Sequence, residues 1–286
     1  MTHRATTRTV AATALAVGTL ALLSAGTANA DPRTLDWWDG NSHFTRTISN
    51  ETPAVGETLT VTTKFERGSE EKLDWVKDHH PTCLTYVYDS AKMNGKPVEP
   101  HLDIKPDYIA GDLNAGAFTS DKVIVNEGKP AVFTAQYQVG ADCSRGIALQ
   151  TGMSYSGSLG TGTYTTNGPS LTVAKAASSI ALSPITGATV GKTTTLTAKV
   201  TPAAAGGTIT FKDDKKVIGT VYVGADGTAT AQWAPAAHGQ RTIIADFSGS
   251  ADASASTTTA TVTVAPEGGT NPGGAGSIGS LFGFGS

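Results

Sequence analysis

Residues 193–264 hold six short runs: TTTLTAKV (193–200), GTITFK (207–212), VIGTVYV (217–223), TATAQW (228–233), TIIADF (242–247) and TTATVTV (258–264). Segments rich in Gly, Pro, Ala and Asp separate them. Leu196, Ala198 and Val200 fall on one face of the first run, and Ile209 and Phe211 on one face of the second. Side chains alternate faces along a strand, so this period-two pattern buries one face and leaves Thr and Lys on the other. Ala225-Asp226-Gly227 marks a turn, because Asp-Gly readily supplies the positive φ that a tight hairpin needs. A further run at Ser179–Leu182 brings the count to about seven strands in roughly 90 residues, which is the density of a two-sheet sandwich.

That count and spacing match an immunoglobulin-type sandwich. Several motifs fall in order: Gly207-Thr208-Ile209-Thr210-Phe211-Lys212-Asp213, Ile218-Gly219, Gly227-Thr228-Ala229, Gly239, and Thr242-Ile243-Ile244-Ala245-Asp246-Phe247-Ser248-Gly249. Over about residues 177–265 the chain resembles the bacterial Ig-like repeat of many cell-surface proteins. It departs at Arg241, where such repeats commonly carry His, and at Ser250, where they commonly carry Asp. If that Asp pins its loop in the family, the resemblance implies a looser loop here. It also implies the role such repeats usually have, a stalk or spacer that displays other domains, in some cases taking part in adhesion.

The first half echoes the second. Val55-Gly56 to Phe65 lines up with Val190-Gly191 to Val200, and Leu171 to Ala174 with Val262 to Ala265. Ala131–Val139 and Thr242–Phe247 form another matching pair. The expected fold is therefore all-β, with two tandem immunoglobulin-like β-sandwich modules, an enlarged one at 31–175 and a second at 176–265. Lys175-Ala176-Ala177 is the expected hinge. One helix is expected, from Ser69 to about Lys77, with Ser69 as cap, Glu70 and Glu71 in the first turn, and Leu73 and Val76 facing inward.

The chain starts with a basic head (Arg4, Arg8), an uncharged, mostly apolar run from Val10 to about Gly26, and Ala28-Asn29-Ala30. This is the layout of a secretory signal peptide over 1–30 with cleavage near Ala30, and the run is short for a membrane span. The mature chain is expected to be secreted or held at the cell surface, with no transmembrane segment. Residues 266–286 are expected to form a flexible Gly-rich tail. Leu281, Phe282 and Phe284 within it are candidate docking residues. The whole chain carries a net charge of −3, and without Arg4 and Arg8 it holds 19 basic against 24 acidic residues. A mildly acidic chain without basic clusters does not suit nucleic acid or anionic membrane.

Cys83 and Cys143 are the two cysteines, and an oxidising compartment favours their pairing. No enzyme template is complete. Gly152-Met153-Ser154-Tyr155-Ser156 lacks the last glycine of a nucleophile elbow. Gly187 to Thr193 is one residue short of a P-loop and leads into a strand. Asp78-His79-His80, followed by Cys83, suggests a metal site, but adjacent histidines on an extended chain point to opposite faces and rarely chelate together, so a solvated polar loop is expected. Asp103, Asp107 and Asp112 could collect calcium, but their spacing fits no compact calcium loop. No metal or other cofactor is expected.

Trp37 and Trp38 near the mature N-terminus, with Trp75, form the candidate aromatic set. On a strand, one of the adjacent pair faces the core and its neighbour faces out, so the set divides between packing and a platform for a ligand. Two functions remain. One is a non-enzymatic structural or adhesion-type spacer or interaction module. The other is a secreted binding protein whose first module recognises a glycan, lipid or host ligand. The partner in either case is a cell-envelope component or an extracellular protein or glycan.

Overall fold

The computed structural model describes residues 31–203 and 206–268. The expected signal peptide, Leu281, Phe282 and Phe284, and nearly all of the expected tail lie outside the described residues. The described chain is all-β. Its strands are β1 (Arg33–Asp39), β2 (Ser42–Ile48), β3 (Thr58–Arg67), β4 (Glu71–His79), β5 (Leu84–Tyr86), β6 (Lys92–Met93), β7 (Lys96–Pro97), β8 (Leu102–Ile104), β9 (Tyr108–Asp112), β10 (Ile124–Val125) and β11 (Ala131–Val139). There follow β12 (Ala148–Leu149), β13 (Gly152–Gly157), β14 (Gly160–Tyr164), β15 (Leu171–Thr172), β16 (Ser179–Leu182), β17 (Thr194–Thr201) and β18 (Thr208–Asp213). The last four are β19 (Lys216–Tyr222), β20 (Thr228–Trp233), β21 (Gly239–Phe247) and β22 (Ser256–Val264).

Two sandwiches result, each with its own core. In the first, the sheet β1-β2-β3-β11-β6-β7, with β5 added beside β11, faces the sheet β14-β13-β4-β9-β8, with β10 added beside β4. Phe44, Val61, Phe65, Phe133 and Tyr137 from one sheet meet Leu73, Val76, Ile109 and Met153 from the other. Burying each such side chain stabilises by roughly 1.5–3 kcal/mol. In the second, β16-β17-β20 faces β19-β18-β21-β22. Leu196, Ala198 and Val200 pack there against Ile209, Phe211, Ile243, Ala245 and Phe247. All seven strands expected in this half are present, Ser179–Leu182 and Thr228–Trp233 with the bounds the alternation gave.

Five expectations need correction. The Ser69–Lys77 segment is no helix; Glu71–His79 is β4, paired with β9 and β13. Leu73 and Val76 are both buried, as a helical spacing of three demands, but through a register shift at Ser156/Gly157. A bulge breaks the period of two and so mimics the helical one. Asp78-His79-His80 is no solvated loop, because Asp78 and His80 are buried at the end of β4.

Lys175-Ala176-Ala177 is no free hinge. The Ala176 N–H donates to the Asp252 carbonyl at 2.8 Å, and the Ser254 N–H to the Ala176 carbonyl at 2.9 Å. Lys175 Nζ donates to the Ser250 carbonyl at 2.7 Å, and Arg145 Nη1 to the Asp252 carbonyl at 3.0 Å. The Ser250 loop is also not loose: Ser250 Oγ accepts from the backbone N–H groups of Asp252 and Ala253 at 3.2 and 3.1 Å. Finally, the echo between 131–139 and 242–247 does not extend to topology. β11 lies beside β3, whereas β20, not β21, lies beside β17.

Candidate functional site

The β1–β2 hairpin closes between Asp39 and Ser42. Its two-residue turn starts at Gly40, whose φ of +56° is one that L side chains rarely adopt. The hairpin aligns Trp38 with His43, and the β2–β3 ladder aligns His43 with Glu66. Phe44, Arg46 and Ile48 occupy the inward positions of β2, so Trp38, His43 and Glu66 form a row on the outer face of the first sheet.

The Trp38 ring stacks on His43 at 4.4 Å and 13°. The imidazole is fixed between two carboxylates, with Nδ1 3.1 Å from Glu66 Oε2 and Nε2 3.4 Å from Asp36 Oδ2. The Lys64 ammonium, 2.7 Å from Glu66 Oε1, holds the Glu66 carboxyl below its usual range, and His43 adds to this. Beside the row is a groove of about 220 Å³ bounded by Asn41, Arg67, Gly68 and the 126–130 turn. Arg67 borders it, but its guanidinium is turned to the inner side of the sheet, with Nη1 donating to the buried Ser42 Oγ at 2.6 Å and Glu71 Oε2 at 3.0 Å, and Nε to Ser69 Oγ at 3.2 Å. Trp38 itself is 68% exposed.

Trp37 turns the other way. It stacks on Phe44 at 5.3 Å, meets Tyr164 edge-on at 5.5 Å, and packs against the core. Trp75 belongs to β4 in the opposite sheet, with Lys77 Nζ 5.9 Å from its ring. The structure thus brings Trp37 and Trp38 to one strand and leaves Trp75 elsewhere. Cys83 and Cys143 form a disulfide that joins the segment before β5 to the one after β11. Asp103 pairs with Lys105 at 2.8 Å, and Asp112 Oδ1 accepts the Asn114 N–H at 2.8 Å. Among the described residues no group of three or more His, Cys, Asp and Glu is placed to hold a metal ion. Ser154, from the incomplete nucleophile motif, lies in mid-β13 and contacts His79 Nε2 at 3.0 Å across the strands. No helix of the described residues is long and apolar enough to cross a membrane.

The sequence reading missed one constellation. Arg46 is fully buried and makes a bidentate pair with Asp78, Nη1 to Oδ2 at 2.8 Å and Nη2 to Oδ1 at 3.0 Å. Nη1 also donates to Thr63 Oγ1 at 2.7 Å, and Tyr137 Oη to Asp78 Oδ1 at 2.9 Å. Burial and the adjacent Asp78 carboxylate push the Tyr137 phenol well above its usual range, so it stays a donor. Arg46, Thr63 and Tyr137 come from one sheet and Asp78 from the other. The chain passes close by at Gly168, where a Cβ would lie 2.8 Å from Arg46 Cδ. The signal was in β2: Arg46 stands two residues from both Phe44 and Ile48, on the apolar face.

The fold defines a tandem pair of immunoglobulin-like sandwiches. Residues 180–265 match the family described as bacterial Ig-like domain (group 3). No curated protein sequence matches the chain. Among solved structures, the chain is similar to a putative membrane-anchored protein from Corynebacterium diphtheriae, with 17% identity, 79% of this chain and 54% of that chain covered, and a TM-score of 0.29. It is similar to BcpA, the major pilin subunit of Bacillus cereus, with 11% identity, 83% and 69% covered, and a TM-score of 0.34. It is also similar to a C-terminal fragment of the major pilin GBS80 of Streptococcus agalactiae, with 11% identity, 82% and 91% covered, and a TM-score of 0.31. The chain thus spans about half the length of the first of these.

Proposed function

We propose that the protein is an exported, non-enzymatic module pair, with sandwiches at 31–175 and 176–265, that works outside the cell as a spacer and interaction module. The observation that carries this reading is the junction. Backbone hydrogen bonds at Ala176, with Lys175 and Arg145 capping the Ser250 and Asp252 carbonyls, tie the connecting segment to the 250–254 loop of the second sandwich. A spacer transmits position only if its joints are stiff, and a three-residue joint with several fixed hydrogen bonds is stiffer than a solvated linker. The match of residues 180–265 to the bacterial Ig-like family supports the same reading.

The test follows one sample through two readouts. The full chain, expressed in a secreting bacterium, is to be recovered outside the cytoplasmic membrane with Asp31 as its first residue. Small-angle scattering on that product is to fit one fixed arrangement of the two sandwiches, and the Arg145→Ala, Lys175→Ala double variant a broader distribution. Full-length chain in the cytoplasm would overturn the export, and identical broad distributions for both proteins would overturn the stiff spacer.

A further inference from the structure

We propose that the groove beside Trp38 binds a neutral pyranose ring, a ligand role beyond that of a spacer. The first support is the state of the indole. One face of Trp38 is covered by the near-parallel His43 ring at 4.4 Å, yet the residue is 68% exposed. The opposite face is therefore bare. Large aromatic side chains bury their surface where they have a partner, and here the strand register holds the ring out at a fixed angle. An aromatic face carries negative charge density. The C–H face of a pyranose is apolar and slightly positive, so it complements that surface.

The second support is the lining of the groove. Asn41, Glu66, Asn126 and Glu127 border the groove together with Trp38. Carboxylates accept hydroxyl protons, and carboxamides both accept and donate. These are the groups that read a ring of hydroxyls. One is held before any ligand arrives, Glu66 by Lys64 and His43. Preorganisation of this kind reduces what binding must spend on ordering side chains. The volume of about 220 Å³ is below the usual 300–1,000 Å³ of drug-sized pockets, which suits one sugar ring with its chain running out over the sheet.

The third support is charge. Glu66, Glu127 and, behind His43, Asp36 stand against one nearby lysine, Lys64, while Arg67 is paired with Glu71. The groove therefore disfavours uronic acids, sialic acids and nucleic acid, and leaves neutral hexoses as the matching chemistry.

The experiment titrates the mature chain, by tryptophan fluorescence and calorimetry, with neutral gluco-, galacto- and manno-oligosaccharides and with uronic-acid oligosaccharides. A neutral series is expected to bind saturably. Trp38→Ala is expected to weaken it about tenfold or more, at the scale of a lost aromatic contact in a small site. Trp38→Phe is expected to retain most of the binding, and Trp75→Ala all of it. Trp38 is largely exposed, so both of its variants are expected to melt with the parent, which separates lost binding from lost folding. Absence of saturable binding at about 10 mM, where even a millimolar site would be nearly full, would overturn the proposal. So would binding that survives Trp38→Ala, or a preference for the uronic-acid series.

Discussion

In the second sandwich, the middle of β17 and β21 presents apolar side chains inward: Leu196, Ala198 and Val200 from one, Ile243, Ala245 and Phe247 from the other. Its inward acid, Asp213, stands at the end of β18, where Trp233 Nε1 donates to it at 3.1 Å and the partly exposed Arg241 at 2.8 Å. In the first sandwich the polar pair is central. Arg46 lies between Phe44 and Ile48 with no solvent exposure, and its partner Asp78 comes from the opposite sheet. The two arrangements differ in what they ask of the solvent. A rim pair keeps some of its hydration, while a central one gives it up and recovers the loss only through good geometry. The Arg46 guanidinium has that geometry, with two bonds to one carboxylate and more to hydroxyls. Apolar contact alone lets one sheet slide over another, whereas a bidentate bond between sheets fixes one placement. The first sandwich, larger and built from many short strands, thus adds a directional bond to its core, and a disulfide besides.

The sharpest way to break this contrast is to remove one half of the pair. Asp78→Ala leaves a buried, unpaired guanidinium, and such losses run to about 3–5 kcal/mol. Calorimetry of residues 31–286 is expected to show the transition of the first sandwich lowered by about 10 °C or more, and that of the second unmoved. Replacing both partners, Arg46→Met with Asp78→Leu, is expected to recover most of the loss, because a well-packed apolar pair can equal a buried ionic one. Equal damage from the single and double changes would mean that the pair does not act as a unit. Reduction of Cys83–Cys143 comes next in size. The bridge spans 60 residues, and closing such a loop is worth roughly 4 kcal/mol in the chain-entropy model, often less in practice. Reductant is expected to lower the first transition by somewhat less than Asp78→Ala does. Any shift of the second transition on reduction would show that the two cores do not melt independently.

The same contrast explains which parts of the molecule could be read from the sequence. The second sandwich was legible because each strand keeps strict alternation and each turn carries its Gly or Asp. In the first, Glu71–His79 departs from alternation at its bulge, and local helix signals at Ser69, Glu70 and Glu71 filled the gap. Strand pairing on both sides overrides such propensity. Arg46 was visible as an arginine on an apolar face, but its partner lies 32 residues away, and no local pattern names it. Trp37 and Trp38 were legible as a pair divided between core and solvent. The groove was not, because Glu66 and Asn126 reach it through the β2–β3 ladder and the turn before β11. Trp75 shows the limit in the other direction: the same residue type, singled out on the same grounds, sits on the other sheet.

The smallest expected effect sharpens the comparison by pH. His79, at the end of β4, has its pKa lowered, first by burial and only partly offset by the neighbouring Asp78 carboxylate. Lys77 and Arg46 push it down further, while Asp107 pulls it up. A histidine with a depressed folded value takes up its proton more readily when unfolded. Its contribution to stability is therefore fully present above the ordinary histidine value of about 6.5 and is lost as pH falls below it. Carboxylates that lysines hold low, such as Asp74 through Lys72 and Asp246 through Lys212, also lose their contribution on acidification, but only below the usual carboxylate range. Between about pH 7 and pH 5 the histidine window is thus separate from theirs. The first transition is expected to fall slightly over that interval. His79→Gln, which keeps a polar group near Ser154 without the titration, is expected to flatten the fall. A parent whose first transition is flat across the interval, or a variant that falls just as the parent does, would remove His79 from the account. In the second case the fall would come from elsewhere in the first sandwich, and the second sandwich, with His238 as its one histidine, serves as the internal reference.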